Sequence, residues 1–490
     1  MNKLLAKRIV MFFGLLAVIS VLFVFQLQSL AEENRLMKYI VNRNQNQDYN
    51  RLFDRSIYKS FTITFTQENF DQLLTNMQAY YDLYGNYRDN NLIPVDVSYT
   101  DGTGESFTIY EVGFRTKSNT SRNLPLTYDW RGRSVYHQTS FQLQFNATHS
   151  YPQGTNEYEI LRQRRVFDLR QINFEYALPF EGQDDDAMIT EAYAHQLLRN
   201  AGLISQQASY GLVYLKIDQL VVGFGLYTFI EPIDSTFLNK FFSKDLANNH
   251  GDLYKATDID GFKANLSTTS EAQVGININE ANERYQYHLS NNTQLGLRTD
   301  FTSFYQFITL VNNPLTYTTN IGNVIDVDKF LRFIAISYLI GNTDDFRNNG
   351  NNYYIYFQVL NNQAVFLSFD HDNALGFGKN QDLSDQYTVN YPLFLASDSL
   401  NPLIYHLLNQ PNFQRIYLNY VEQFADQYMN YAVFHAEILQ AKSLYEAELI
   451  AQNHLGNQVF GFRNSQWYFE TKKNNAIQFV QEARTQLGFD

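Results

Sequence analysis

No cysteine occurs among the 490 residues, so a disulfide framework, a thiolate zinc site, an iron–sulfur cluster and a cysteine nucleophile are all excluded. Positive charge is scarce as well. Lys and Arg number 37 against 50 Asp and Glu, a net charge of -13, and a chain of that sign lacks the field that holds a nucleic-acid backbone. The nine histidines fall into no HExxH or other metal-spaced pair, and no G-x-S-x-G elbow, Walker loop or dinucleotide fingerprint occurs. Hydrolase, P-loop and Rossmann chemistry therefore lack a signature. No long Pro/Gly/Ser linker and no repeat of solenoid period divides the chain. What is abundant is aromatic: 40 Phe and 36 Tyr beside only 2 Trp, within a hydrophobic fraction of 44% that excludes disorder and supplies a sizeable core.

The one long apolar run stands at the start. Lys3, Lys7 and Arg8 precede an uncharged stretch from Ile9 to Phe25, and Glu32 and Glu33 follow it. Seventeen residues span about 26 Å as a helix, close to the hydrocarbon thickness of a bilayer. The charge order puts the N-terminus inside and the remainder outside. Residues 1–31 read either as a retained signal anchor or as a signal peptide cut after Ser29-Leu30-Ala31. The expected location is the bacterial cell membrane, single-pass with the bulk extracytoplasmic, or secreted if the leader is cleaved.

Residues 32–55, polar and rich in Asn and Gln, read as a juxtamembrane stalk or short helix. Strand signals follow. Ser60 to Thr66 alternates at period two and Gln67 to Met77 switches to helical spacing. Ile93–Tyr99 and Ser106–Phe114 flank a turn at Asp101-Gly102-Thr103-Gly104. Further strands are predicted over Ser140–Asn146, Phe167–Phe174, Tyr210–Lys216 and Val221–Glu231. A helix is predicted from Asp184 to Gly202, and another at 236–247. Asp258 to Asn320 is poorly patterned. The helix from Asp328 to Ile340 carries an apolar face, strands at Asn352–Val359 and Gln363–Phe369 follow, and the pattern from Pro402 onward is helical. The fold class is α+β, with a β-rich lobe over 56–235 and a mostly helical lobe over 236–490.

The densest polar cluster lies between residues 341 and 378. Asp344 and Asp345 follow an apolar helix, and Asp370 and Asp372 follow an apolar strand, so rigid elements deliver each pair to a loop. Two residues apart in extended chain, Asp370 and Asp372 point the same way, which suits carboxylate ligation of a hard cation, with Asn351 or Asn352 adding a neutral oxygen. The order of helix, Asp loop, Asn, hairpin and Asp is that of the parts in kinase phosphoryl transfer. Taken singly, these residues are ordinary turn formers. His371, between the two aspartates, alternates away from them. Aromatic patches at Ala79-Tyr80-Tyr81, Tyr353–Tyr356 and Gln466–Phe469 suit core filling more often than sugar stacking, and Lys472-Lys473 reads as a solvated face.

A series of motifs runs in order over about residues 58–480: Val112 to Ser121 (VGFRTKSNTS), the strand Phe141–Phe145, the helix start Asp184–Glu191 with Ala192, Tyr193 and His195, Gly225-Leu226-Tyr227 through Glu231, Asp234 and Phe237-Leu238, Gly251–Lys255 (GDLYK), Asn342-Thr343-Asp344, Asn351-Asn352-Tyr353, and Phe369–Asp372. In this series the chain resembles the CotH kinase family, an atypical protein-kinase-like fold. The resemblance implies an antiparallel-sheet N-terminal lobe on a helical C-terminal lobe, ATP as substrate and Mg²⁺ or Mn²⁺ as cofactor. It assigns Asp344 as catalytic base, with Asp345 the alternative, and Asp370 as the main metal ligand, assisted by Asp372 and Asn352. Glu191 falls on the helix that orients the phosphate-binding cation, Tyr227 and Glu231 along the adenine side, and Arg115, Lys117 and Asn119 in a loop over the phosphates. Two departures stand out. Gln144 occupies the family's usual lysine position, leaving Lys117, Arg115 or Lys255 to supply the phosphate cation, and Ser118 replaces the loop glycine. The expected activity is phosphoryl transfer to a surface protein or glycan hydroxyl. The alternatives are a pseudokinase-like surface protein organising envelope polymers, and a glycan-processing enzyme using paired carboxylates.

Overall fold

The computed structural model describes residues 36–118, 122–149, 151–176, 188–242, 251–259, 262–267, 273–276, 285–291, 301–376, 388–455 and 463–489. The apolar run of residues 9–25 and the acidic helix start at 184–187 lie outside them. Among the described residues no helix is long and apolar enough to cross a membrane.

In the segment read as a stalk, helix α1 (Gln45–Phe53) inserts Leu52 into the first core. Strand β1 (Lys59–Phe65) follows, with Phe61, Ile63 and Phe65 buried and the residues between them half-exposed, as its period-two pattern requires. Thr66 caps α2 (Gln67–Tyr84) by accepting a hydrogen bond from Asn69 N, and Gly85 ends it in the left-handed region. Next come β2 (Ile93–Asp101), β3 (Ser106–Thr116), a small hairpin of β4 (Leu126–Tyr128) and β5 (Ser134–Tyr136), β6 (Phe141–Gln144), α3 (Asn156–Gln163) and β7 (Gln171–Tyr176). Helix α4 (Thr190–Asn200), strands β8 (Ala208–Ile217) and β9 (Leu220–Ile230), and α5 (Ser235–Phe242) complete this half.

The expected antiparallel sheet is in fact a closed barrel of order β1-β2-β3-β6-β7-β9-β8. Every pairing in it is antiparallel except that of β1 with β8, which is parallel and closes the wall. Hairpin signals report local pairing only; the closing pair joins segments far apart in sequence, which no local pattern encodes. Phenylalanines fill the interior: Phe61 packs edge-on against Phe167, Phe174 and Phe229.

The second half is less purely helical than its pattern suggested. Strands β10 (Leu253–Ala256), β11 (Val274–Gly275) and β12 (Tyr287–Leu289) come before α6 (Thr302–Val311), α7 (Pro314–Thr319), α8 (Ile321–Val324) and α9 (Val327–Ile340). The hairpin β13 (Tyr353–Phe357) and β14 (Ala364–Ser368) then joins them in a five-stranded sheet of order β11-β12-β10-β13-β14. Strands of two to four residues within a polar stretch leave too few alternations for a period to be read. Gly251, just before β10, needs its missing side chain: a Cβ there would sit 1.6 Å from the Phe357 carbonyl oxygen. Helices α10 (Pro402–Leu408), α11 (Pro411–Tyr428), α12 (Tyr431–Ala451) and α13 (Arg463–Leu487) pack against α9 and α4 around one large apolar core. Lys473 is paired with Asp426 at the surface. Lys472, expected beside it in solvent, is fully buried instead, its Nζ 3.6 Å from the Tyr338 ring centroid and bonded to Thr388 O. Its turn of α13 faces α9, so half of the charge pair points inward.

Candidate active site

Three strands of the barrel wall present a polar outer face, because the residues alternating with them point into the phenylalanine core. Arg115 on β3, Gln142 on β6 and Asn173 on β7 lie in register. Arg115 Nε donates to Gln142 Oε1 at 3.0 Å, and Gln142 Nε2 to Asn173 Oδ1 at 3.0 Å. One step further along the same face, Lys117 N donates to Ser140 O at 2.7 Å, and the Lys117 ammonium is ion-paired with Glu175 of β7. Ser118 follows at φ 106°, a backbone setting that glycine adopts freely and serine does not.

Facing this wall is the turn after β14. Phe369 N donates to Asn352 O at 3.0 Å, closing the hairpin base, and both Asn352 and Asp370 adopt left-handed φ values of 52° and 58°. The Phe369 ring lies under two ammonium groups, Lys117 at 5.2 Å from the barrel side and Lys255 of β10 at 5.4 Å from the second sheet. Asp370 is half-buried and Asp372 exposed, and the Asp372 side chain lies close enough to favour the ionised form of Asp370. Glu191, in the first turn of α4, is buried and accepts from His371 N at 3.2 Å. Withdrawal from water and the neighbouring Asp370 and Glu175 carboxylates push Glu191 well above the usual carboxylate range. Burial and Glu175 raise Asp370 too, and Lys117 opposes that shift. Behind the turn, the His371 ring packs edge-on against His195 of α4 with centroids 4.8 Å apart, and burial lowers the His371 pKa to about 4, which keeps it neutral.

Gly341 ends α9 in the left-handed region and turns the chain into the acidic loop. Asn342 Nδ2 donates to Asp370 O at 2.8 Å, tying that loop to the turn that carries Asp370. The Asp344 carboxylate accepts from the side-chain amides of Asn349 at 2.7 Å, Asn351 at 3.1 Å and Asn352 at 3.2 Å. Asp345 turns the other way. It is buried, accepts from Asn348 N at 2.9 Å, and burial raises its pKa to about 7.

Of the residues the sequence singled out, Lys117, Glu191, Lys255, Asp344, Asn352, Asp370 and Asp372 therefore come together, with Arg115 one register step away. The others lie elsewhere. Gln144 is at the far end of β6, opposite Gly113 and Gln171. Tyr227 is fully buried inside the barrel with its hydroxyl on Thr139 O, because β9 turns alternate residues inward. Glu231 is buried in an ion pair with Lys240 and accepts from the Tyr49 hydroxyl at 3.0 Å. Asn119 lies outside the described residues. Sequence reasoning passed over Glu175, which stands one residue beyond the predicted strand; carrying the period on from Asn173 would have placed it on the same outward face.

A family model described as CotH kinase protein matches residues 130–486. The chain thus belongs to the CotH kinase family and is a kinase-like protein. Among solved structures it is similar to the Helicobacter pylori proinflammatory kinase CtkA, at 10% identity and a TM-score of 0.24, over 74% of this chain and 99% of that one. No curated protein matches it.

Kinases of this kind use a nucleotide with a divalent cation. Among the described residues no three His, Asp or Glu side chains stand close enough to hold an ion between them. The donor set nonetheless fits Mg²⁺, which takes one or two carboxylates and completes its octahedron with water and phosphate oxygens. Asp370, with Asp372 and Asn352 beside it, offers hard oxygen donors in a region where carboxylates outnumber ammonium groups.

Proposed function

We propose that this is an extracytoplasmic kinase transferring the γ-phosphoryl group of ATP to a hydroxyl of a surface protein or glycan. The observation that carries the reading is the placement of Lys117 and Lys255 over the ring of Phe369, the residue before Asp370, whose carboxylate feels the charges of both Lys117 and Asp344. Two cations from two different sheets face the position where phosphates would lie, and an Asp–Asn–Asp oxygen set faces them. In transfer, the bond from the γ-phosphorus to the bridging oxygen breaks, releasing ADP, and a bond forms to the acceptor oxygen. The acceptor proton passes to Asp344, whose carboxylate the three asparagine amides hold in one orientation. Asp370, Asp372 and Asn352 would hold the cation, which supplies charge neutralisation to the phosphates. The charged leader around Ile9–Phe25 supports the extracytoplasmic location.

A non-catalytic, pseudokinase-like role in envelope assembly is favoured by one observation, the uncharged Gln142 and Gln144 of β6. Lys117 answers it, since the ammonium missing from β6 is supplied from the adjacent strand. The test is phosphotransfer by the full-length chain with labelled ATP and Mg²⁺, read as phosphoprotein and released ADP. Asp344→Asn and Asp370→Asn should each lower turnover on the order of 100-fold or more. Full activity in both variants, or polymer binding by a wild type that binds no nucleotide, would sink the catalytic reading.

A further inference from the structure

The family pattern assigns the orientation of the phosphate cation to a glutamate on the helix, here Glu191. The geometry points to a different arrangement, which rests on the kinase reading above: Glu175, on barrel strand β7, positions Lys117 for the nucleotide phosphates, while Glu191 positions the Asp370 turn.

Five observations carry this. The direct ion pair of Lys117 is with Glu175. Glu175 is held on β7 by its pairing with β9, and Lys117 directly follows β3 with its N–H bonded to Ser140 O, next to β6, so both are anchored to one closed wall. Their side chains are 21% and 23% exposed, enough for a phosphate to reach the ammonium. That ammonium has three N–H donors. One is used on Glu175 and the group also rests over the Phe369 ring, which leaves donor capacity for a phosphate oxygen. Glu191 feels the Lys117 charge, but its hydrogen bond goes elsewhere. Its Oε1 takes the His371 N–H, at the residue after Asp370, and it lies on a helix packed into the other core. Two carboxylates thus divide the work, one holding the cation on the barrel and the other holding the turn that carries Asp370.

The experiment compares Glu175→Gln, Glu175→Asp and Glu191→Gln in the full-length chain. The first arm needs no turnover: acetic anhydride modifies lysines in the absence of nucleotide, and mass spectrometry follows Lys117. The ion pair with Glu175 covers the Lys117 amine, so Glu175→Gln should speed Lys117 modification several-fold, with Glu175→Asp close to wild type and Glu191→Gln having a smaller effect. In the second arm, phosphotransfer from ATP with Mg²⁺, Glu175→Gln should lower kcat on the order of 100-fold, more than it raises the KM for ATP, and Glu175→Asp should recover part of the loss. Equal modification of Lys117 in wild type and Glu175→Gln, or a change produced by Glu191→Gln instead, overturns the assignment. A wild type that transfers no phosphate counts against the kinase reading, and the modification arm still decides which glutamate holds Lys117.

Discussion

Asp345 offers the sharpest quantitative test of how this loop is built. Its neighbour Asp344 is dressed by three amides, whereas Asp345 is driven inward, 2% exposed, with backbone donors from Asn348 and Arg347 and the Arg347 guanidinium nearby. Burial outweighs all three and lifts the carboxyl from 3.8 to about 7. An acid that is weaker in the folded state destabilises the fold once the unfolded chain ionises. Below 3.8 both states are protonated and there is no effect. Between 3.8 and about 7 stability falls as pH rises, and above that the deficit is constant. At 1.36 kcal/mol per pH unit the full deficit is about 4 kcal/mol. Asp345→Asn keeps an oxygen acceptor for Asn348 N and cannot ionise. By denaturant unfolding, the variant should be more stable than wild type by up to about 4 kcal/mol near pH 8 and by about 2 kcal/mol near pH 5. The stability difference should vanish in stronger acid. Parallel stability curves for the two proteins, or a variant less stable near pH 8, would refute the argument that burial dominates this carboxyl. Because the Asp345 carboxyl is buried against its own loop, the same variant should also keep phosphotransfer that Asp344→Asn loses.

Other substitutions probe other parts of the construction. Ser118→Gly relieves a backbone at φ 106° and should raise stability by about 1 kcal/mol in thermal or denaturant unfolding. Lys472→Met removes an amine that burial holds well below the usual lysine range. It should stabilise the chain by ~1–4 kcal/mol at neutral pH, an advantage that shrinks as pH rises toward 10.5; destabilisation at neutral pH would show that the Thr388 and Tyr338 contacts win. Gly251→Ala would force a carbon to 1.6 Å from the Phe357 carbonyl and should destabilise by at least about 3 kcal/mol, measured as a lost or much lowered unfolding midpoint.

Much of the wall and of the site was readable because it rests on local rules. The alternation of Lys59–Phe65, the hairpin of β2 and β3, the pair β8 and β9, and the apolar helix ending at Gly341 all declare themselves over a few residues. The cluster at 341–372 stood out for the same reason, an acidic loop after an apolar element. What escaped was set by tertiary context. Tyr227 and Glu175 lie on neighbouring strands, and only the closed barrel decides that one faces the core and the other the cleft. Lys472 and Lys473 are adjacent in sequence, and helix packing alone sends the first to Tyr338 and the second to Asp426. The glycines of the family pattern were visible as letters. Their reason, a Cβ at Gly225 meeting Leu455 O at 2.5 Å, depends on a residue far down the chain.

The parallel pairing of β1 with β8 also sets an order of events. A chain synthesised from its N-terminus exposes Phe61, Ile63 and Phe65 long before residues 208–217 arrive to cover that edge. Even then the barrel end is unfinished. Lys59 N donates to the Tyr445 hydroxyl at 3.1 Å, which in turn donates to Tyr210 O at 3.1 Å, and Tyr58 bonds to Glu448 at 2.8 Å. All three contacts wait for α12. The first strand is therefore sealed by one of the last helices to emerge, and during synthesis the edge of β1 is the segment that a holding chaperone would have to shield from pairing with another copy.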